Sequence, residues 1–364
     1  MSNAATKSGI NIDFRTFFIL ILLAAVPMII GSWWLFSSYE SQNLEMTGAH
    51  LSGIAETAFS AINGYLQNQI ITIAGLTEIP VLRNEIDRGN QDLKRNLEEI
   101  RKSIPKIESA WPALNRESPQ VQAILDNPGS KFLRRYTDVN KAFRQIIVTD
   151  FLGRLVAATD KNANYYLPHA DWWKETYGDG NRGSVYIGDV RYDAGSYLMD
   201  LAQPFIEPGS GVVGIIKVIL DLQGIHSLVG SIQAGPGTAV VLIHAKGDVI
   251  SAPGYSSLPQ RTYPATLDIL NAREKGRVIL VSKVDPPAIY GLTQRSFQQI
   301  YPHLNWIVAA TQPVDEVLIP QRQLRRFFIV LLVGIFLAVL AATLMLSRLE
   351  AKPPIEEDPH LEKL

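Results

Sequence analysis

The chain has 364 residues, 47% of them hydrophobic and 19% charged, with a formal net charge of −1 and no cysteine. The balanced charge, without any Lys/Arg-rich arm, argues against a nucleic-acid partner, and the lack of cysteine excludes disulfides, thiol catalysis and cysteine-based metal sites. Two 20-residue runs, 17–36 and 327–346, contain no Asp, Glu, Lys or Arg and leave a 290-residue middle between them.

As a helix each run is about 30 Å long, the thickness of a bilayer core. Both are therefore read as transmembrane helices, with short tails at 1–16 and 347–364. Lys7 and Arg15 flank the first run, and the next basic residue is Arg83. The positive-inside rule then puts both tails in the cytoplasm and the middle outside, as in a two-pass protein of a bacterial inner membrane with a periplasmic or extracellular central region. Arg322, Arg325 and Arg326, on the outer side of the second run, oppose that rule. Trp33 and Trp34 sit where interfacial aromatics belong. No A-x-A-like site follows the first run, so it reads as an uncleaved anchor.

Residues 37–142 read as a stalk and a helical region. Ser38–Ile79 has no proline and predicts one long helix. Leu44, Leu51, Ala58 and Tyr65 recur every seven residues, with Ile54 and Ala61 at a second seam position. This stripe fits either a helix packed on its own domain or the seam of a homodimer. Asn90–Ile104 predicts a second helix with solvated charges. Pro105, Pro112, Pro119 and Pro128 then break the chain, leaving at most a short helix at Ser118–Asp126.

From Phe143 the pattern turns to strands. Phe143–Thr149 and Arg154–Thr159 flank Asp150-Phe-Leu-Gly153, a hairpin. Ala239–His244 and Asp248–Ser251 flank Ala245-Lys-Gly247 in the same way. Each hairpin is followed by a further strand leading into a helix: Gly214–Leu222 then Gln223–Gly230, and Asn305–Thr311 then Pro313–Arg326. Between them lie Tyr186–Val190 and Ser196–Pro204 in the first copy, and Arg277–Val284 and Ile289–Arg295 in the second. The recurrence predicts an internal duplication: two modules, 143–230 and 231–326, each an antiparallel sheet of about five strands with helices on one face. The fold class is α+β, of the PAS-like kind.

With these elements in this order, the chain resembles the double Cache family of extracytoplasmic sensor domains over about residues 38–326. The resemblance is carried by Asp150-Phe-Leu-Gly-Arg-Leu-Val-Ala-Ala-Thr159, Asp171-Trp-Trp173, Leu201-Ala-Gln-Pro204 and Gly214-Ile-Ile-Lys-Val-Ile-Leu-Asp221. It implies a small-molecule site in the membrane-distal module, here 143–230, and an output through chemoreceptors, histidine kinases or cyclic-dinucleotide enzymes. The amino-acid-binding branch has a Tyr, an Arg five residues on, and then Trp-Tyr. Here Tyr165 is followed at that spacing by Ala170, then Trp172-Trp173. The arginine that would grip a ligand carboxylate is absent, Arg182 or Arg191 being possible substitutes, and the acidic partner of a ligand amine falls near Asp193. On this reading an amine or a neutral polar ligand is expected in preference to an α-amino acid.

The segment Tyr165–Asp200 stands out without the family. It holds six of the chain's 13 tyrosines and two of its six tryptophans, interleaved with aspartates. Aromatic walls with carboxylates suit cation–π contact and charge-assisted hydrogen bonds; the same residues could instead cover a sheet and serve turns. The candidate ligand-binding residues are Tyr165, Trp172, Trp173, Tyr177, Tyr186, Asp189, Tyr192, Asp193 and Tyr197. No nucleophile elbow, H-E-x-x-H, Walker A or G-x-G-x-x-G context is present, so neither an enzyme nor a bound cofactor or metal is expected. His169 with Asp171 reads as a surface histidine beside a turn. The tail after 346 has room for no kinase, cyclase or coiled coil, so signalling through a separate partner protein is expected, with membrane lipid around the spans. The alternative is a structural or assembly subunit whose Cache-like domain binds another protein.

Overall fold

The computed structural model describes residues 14–350 apart from 194, 233–234, 254–261 and 285. The expected tails lie outside these residues but for 14–16 and 347–350. Among the described residues no helix is long and apolar enough to cross a membrane. The runs 17–36 and 327–346 belong to α1 (Phe14–Thr77) and to α10 (Ile319–Glu350), which follows the short α9 (Val314–Val317), and only part of their side chains is described. The chain forms two compact units, one of residues up to Met46 with those from Val314 onward, the other Thr47–Pro313.

The larger unit is α+β and holds two antiparallel sheets on one long helix. Its helices are the remainder of α1, then α2 (Pro80–Ala110), α3 (Pro119–Leu125) and α4 (Pro128–Val139). The first module then runs β1 (Phe143–Asp150), β2 (Leu155–Ala158), α5 (Asp171–Tyr177), β3 (Tyr186–Ile187), β4 (Arg191–Asp193), β5 (Ser196–Glu207), β6 (Gly211–Asp221) and α6 (Gln223–Ser231). The second runs β7 (Ala239–His244), β8 (Val249–Ser251), α7 (Thr266–Glu274), β9 (Ile279–Ser282), β10 (Ala288–Leu292), α8 (Phe297–Ile300) and β11 (Trp306–Pro313). The strand orders are β2-β1-β6-β5-β3, with β4 also on β5, and β8-β7-β11-β10-β9. The two orders superimpose when β1 is matched to β7 and β6 to β11, which is the duplication expected from the sequence.

The first hairpin shows why its residues turn. Asp150 Oδ1 accepts from the backbone N–H of Leu152 and Arg154 at 3.0 and 2.9 Å, and Oδ2 pairs with Arg154 Nε at 2.7 Å. Gly153 supplies φ +87°, a region a Cβ would disfavour. Burial raises the Asp150 carboxyl above its ordinary value, while Arg154 and the two backbone donors oppose this.

The second helix differs from expectation. It starts at Pro80, bends at Asn96 (φ −133°, ψ 38°), and continues past Pro105 to Ala110. Pro105 lies on the exposed side, where water can satisfy the carbonyl that loses its amide donor.

The expected stripe on α1 is spent on its own sheets. Leu51, Ala58, Phe59, Ile62, Leu66 and Ile73 are fully or almost fully buried within the chain, so Leu51 and Ala58 cannot form a seam with a second copy. Near its start within this unit α1 packs on the second sheet: Ser52 Oγ donates to Leu292 O at 2.9 Å, and the Phe59 and Phe297 ring centroids are 4.3 Å apart. Further on it passes behind the first sheet, where Gln203 Nε2 donates to Ile70 O at 2.6 Å. Gly291 in β10 permits the closest approach, since a Cβ there would overlap Ser52 N and the Leu51 backbone. Gly291→Ala should therefore lower unfolding stability by about 3 kcal/mol, the upper end for overpacking, because backbone cannot yield as a side-chain tip can. Chemical denaturation of the full chain tests this; a change below about 0.5 kcal/mol would mean that the helix is not seated there.

Candidate functional site

Residues two apart on a strand share a face. Across β1, β6 and β5 the register pairs Ile147 with Lys217 and Lys217 with Ala202, so these three lie on one face with Ile215. Gln203 and its neighbours on the opposite face meet α1. The first face is covered by α5 and the segment before it. Trp172 and Trp173 belong to a buried apolar cluster with Ile147, Ala202, Ile215, Tyr165 and Trp111.

Lys217 is the single charge within the apolar stretch of β6, and it is mostly buried. Its Nζ sits 5.0 Å from the Trp172 ring centroid and 2.8 Å from Asp200 Oδ2. The other oxygen, Oδ1, accepts from Arg191 Nη1 at 2.7 Å. Two cations thus share one carboxylate, and side-chain exposure is 13% at Lys217, 18% at Asp200 and 40% at Arg191. Removing such groups from water costs free energy unless they are paired, and here the cations outnumber their shared partner. Further acids lie nearby: burial raises the Tyr186 phenol above its ordinary value, with Glu175, Asp200, Asp171 and Asp189 adding to the rise. The face therefore offers both signs of charge beside aromatic rings.

The nine sequence candidates separate into two groups and an outlier. Tyr165, Trp172, Trp173 and Tyr177 cover the sheet. Tyr165 packs on Trp111 at 5.5 Å, Trp173 stacks on Tyr177 at 4.6 Å, and Trp173 Nε1 donates to Thr149 Oγ1 at 3.3 Å. Burial raises the Tyr165 phenol. Tyr186, Asp189, Tyr192 and Tyr197 lie at the junction with the second module. The Tyr186 ring lies 5.2 Å from that of His303, which pairs with Glu175 at 2.7 Å. Asp189 accepts from Trp306 Nε1 at 3.0 Å and meets His244 Nε2 at 2.8 Å. Lys246 N donates to His244 Nδ1 at 3.0 Å, so Nε2 is the nitrogen that donates to Asp189. Tyr197 OH donates to Val249 O at 2.8 Å, and Tyr192 meets Tyr197 edge-on at 5.1 Å. A cleft of about 300 Å³ opens at this junction, edged by Arg191, Tyr192, Tyr197, His244 and Lys246. Asp193 is exposed at the end of β4.

Sequence reasoning passed over Lys217 and Trp111, and counted Asp200 among the interleaved aspartates of the aromatic segment without selecting it as a ligand residue. Lys217 had a signal: a charge in the middle of β6, whose only other charged residue, Asp221, closes the strand. Of the two arginines considered as substitutes, Arg191 turns toward the aromatic face through Asp200. Asp179 serves a turn, accepting from Asn181 N at 2.9 Å. His169 packs edge-on to Tyr166 at 5.6 Å. Among the described residues no three His, Asp or Glu side chains come together as a metal site.

No protein-family model and no curated protein matches the chain. Similar solved structures include the sensory domain of the Campylobacter jejuni chemoreceptor Tlp3 (CcmL), at 12% identity and TM-score 0.49, covering 76% of this chain and 98% of that one. The Tlp3 ligand-binding domain in complex with L-valine gives 12% and 0.47, covering 76% and 97%. The ligand-binding domain of the Pseudomonas fluorescens chemoreceptor CtaA in complex with L-alanine gives 12% and 0.41, covering 73% and 97%.

Two measurements test this geometry. Asp189→Ala leaves two buried donors, His244 Nε2–H and Trp306 Nε1–H, without their acceptor, and should cost about 2–3 kcal/mol in chemical denaturation; a change near zero would mean that the junction does not depend on Asp189. The His226 ring lies tilted 5.5 Å from that of Tyr197, its Nδ1 is buried without a partner, and desolvation lowers its proton affinity below the ordinary 6.5. The unfolded chain therefore takes up this proton first. The stability from neutral His226 is complete above pH 6.5 and is lost as pH falls through that value toward the folded one. His226→Gln should flatten the loss of stability as pH falls below 6.5, and an unchanged slope would show that His226 is not its source.

Proposed function

We propose that this chain is a double-Cache-type sensor, anchored in a bacterial inner membrane by the runs 17–36 and 327–346, whose first module binds a small polar ligand. The observation that carries the reading is Lys217, held over Trp172 and against an Asp200 that Arg191 also claims. A lysine kept in an apolar sheet face, with more cation than anion in its immediate hydrogen-bonded group, supports a ligand carboxylate as the missing counter-charge. Asp200 and the acids around Tyr186 are suited to an ammonium group. The ligand class proposed is thus an amino-acid-sized zwitterion. This revises the preference for amines and neutral ligands, which followed from Ala170 standing where an arginine would be. Amino-acid complexes among the similar chemoreceptor domains accord with this class.

The module boundaries 143–230 and 231–326, the cytoplasmic tails and the periplasmic middle belong to the same proposal. Downstream, the receiver is a separate kinase, cyclase or chemoreceptor, which co-purification in mild detergent would capture. The close ring packing of Trp173 on Tyr177 and Tyr165 on Trp111 favours a second reading, an assembly subunit whose covered face binds a protein and no small ligand.

A thermal-shift screen of the full chain in detergent separates the two. Amino acids should stabilise it where the matching amines and carboxylates do not, by about 2.7 kcal/mol at a hundredfold excess over Kd. Lys217→Met and Trp172→Ala should remove that response while the chain stays folded; Asp193→Ala, at the exposed end of β4, should keep it. No stabilisation by any zwitterion, amine or carboxylate would favour the assembly reading.

A further inference from the structure

Within the smaller unit, α1 and α10 enclose a cleft of about 510 Å³ that changes character along its length. One end is lined by Ile29, Phe36, Phe328, Ile329 and Leu332, and the other by Ser37, Glu40, Gln321, Arg322 and Arg325. The Phe36 and Phe328 rings meet edge-on at 5.5 Å. Gln321 is 7% exposed. Its Nε2 donates to Phe36 O at 3.1 Å, while its Oε1 is buried without a partner, an arrangement that costs free energy until a donor arrives. Arg322 pairs with the well-exposed Asp315 at 2.5 Å. Arg325 and Arg326 form no ion pair among the described residues and are exposed. Trp33 also lines the cleft, and both it and Trp34 are largely exposed.

These are the arginines that oppose the positive-inside rule. A basic cluster on the side that the rule leaves poor in Lys and Arg calls for a local anionic partner. We propose that the cleft binds an anionic phospholipid of the phosphatidylglycerol type. The phosphate sits on Arg322 and Arg325, a headgroup hydroxyl donates to Gln321 Oε1, and an acyl chain lies along Phe36, Phe328 and Leu332. The inference rests on the reading of 17–36 and 327–346 as membrane spans. The mixed lining selects this occupant: a free phosphate would leave the apolar end empty, and a neutral lipid would leave Arg325 unmatched and Arg322 with only the well-exposed Asp315. Glu40 is the one acid of the lining, and Asp315, the partner of Arg322, lies outside it.

The test uses the full chain. Carbonate extraction of cell membranes comes first: a chain released into the soluble fraction overturns the membrane reading and this inference together. A retained chain is purified in mild detergent and titrated by native mass spectrometry with phosphatidylglycerol, phosphatidylcholine and soluble glycerol phosphate. Phosphatidylglycerol should be held well above phosphatidylcholine, and Arg322→Gln with Arg325→Gln should lower its retention about 25-fold, about five-fold per arginine, with phosphatidylcholine unchanged. Arg322→Lys with Arg325→Lys should restore most of it, which separates lost charge from misfolding. Equal retention of the two lipids, a glutamine variant that behaves as wild type, or glycerol phosphate binding as tightly as the lipid would each overturn the proposal while leaving the membrane reading intact.

Discussion

The larger unit depends on the burial of one helix face. From Leu51 to Ile73, α1 presents side chains with essentially no solvent exposure to two sheets in succession. Each sheet has one face that water would otherwise cover, and on the first sheet α2 packs on β1 and β6 beside α1. At about 25 cal/mol per Å² of apolar surface, such a shared wall is a large stabilising term. It also sets which face of each sheet is left for other work. On the first sheet, Gln203 and its neighbours are committed to α1, and Lys217, Ala202 and Ile147 turn the other way.

That second face is where charge enters. A strand buried on both sides would ordinarily read as continuous Val, Ile and Leu, and from Ile215 to Leu220 β6 does so except at Lys217. Its ammonium is held by Asp200 and by the π-face of Trp172, so the charge is partnered but not neutralised as a group once Arg191 is included. Arg191 lies two residues from Asp189, which reaches His244 and Trp306 of the second module. One short segment therefore touches the charged face and the junction.

Much of the architecture was legible in the sequence, because period-two alternation and the Asp150–Gly153 and Ala245–Gly247 turns are local signals. The matching strand orders followed from the repeat of those signals. The extent of α2 was not legible: Pro105 reads as a breaker, and only its exposed setting shows why the helix tolerates it. The role of the Leu51–Ala58 stripe was open for a related reason, since a periodic apolar face does not say what covers it. The candidate site was legible in part. The aromatic density of Tyr165–Tyr197 pointed to a segment whose side chains pack on this face and at the junction. It could not separate rings that cover the sheet from side chains at the junction, because that division depends on β4 and β5 folding back on each other. Asp200 and Lys217 come together across a strand pair 17 residues apart in sequence, beyond the reach of a local motif.

Gly291 has a mechanical meaning. Where a helix lies on a sheet through interlocking side chains, the layer between them can shear by exchanging rotamers. At Gly291 that layer is missing, and the backbone of Leu51 and Ser52 rests directly on β10. Sliding α1 by even one residue, about 1.5 Å along its axis, would drive a neighbouring Cβ against the strand. Tilting about the same point disturbs far less. The glycine thus makes a fulcrum: it resists piston-like travel of the helix and leaves rocking as the softer motion.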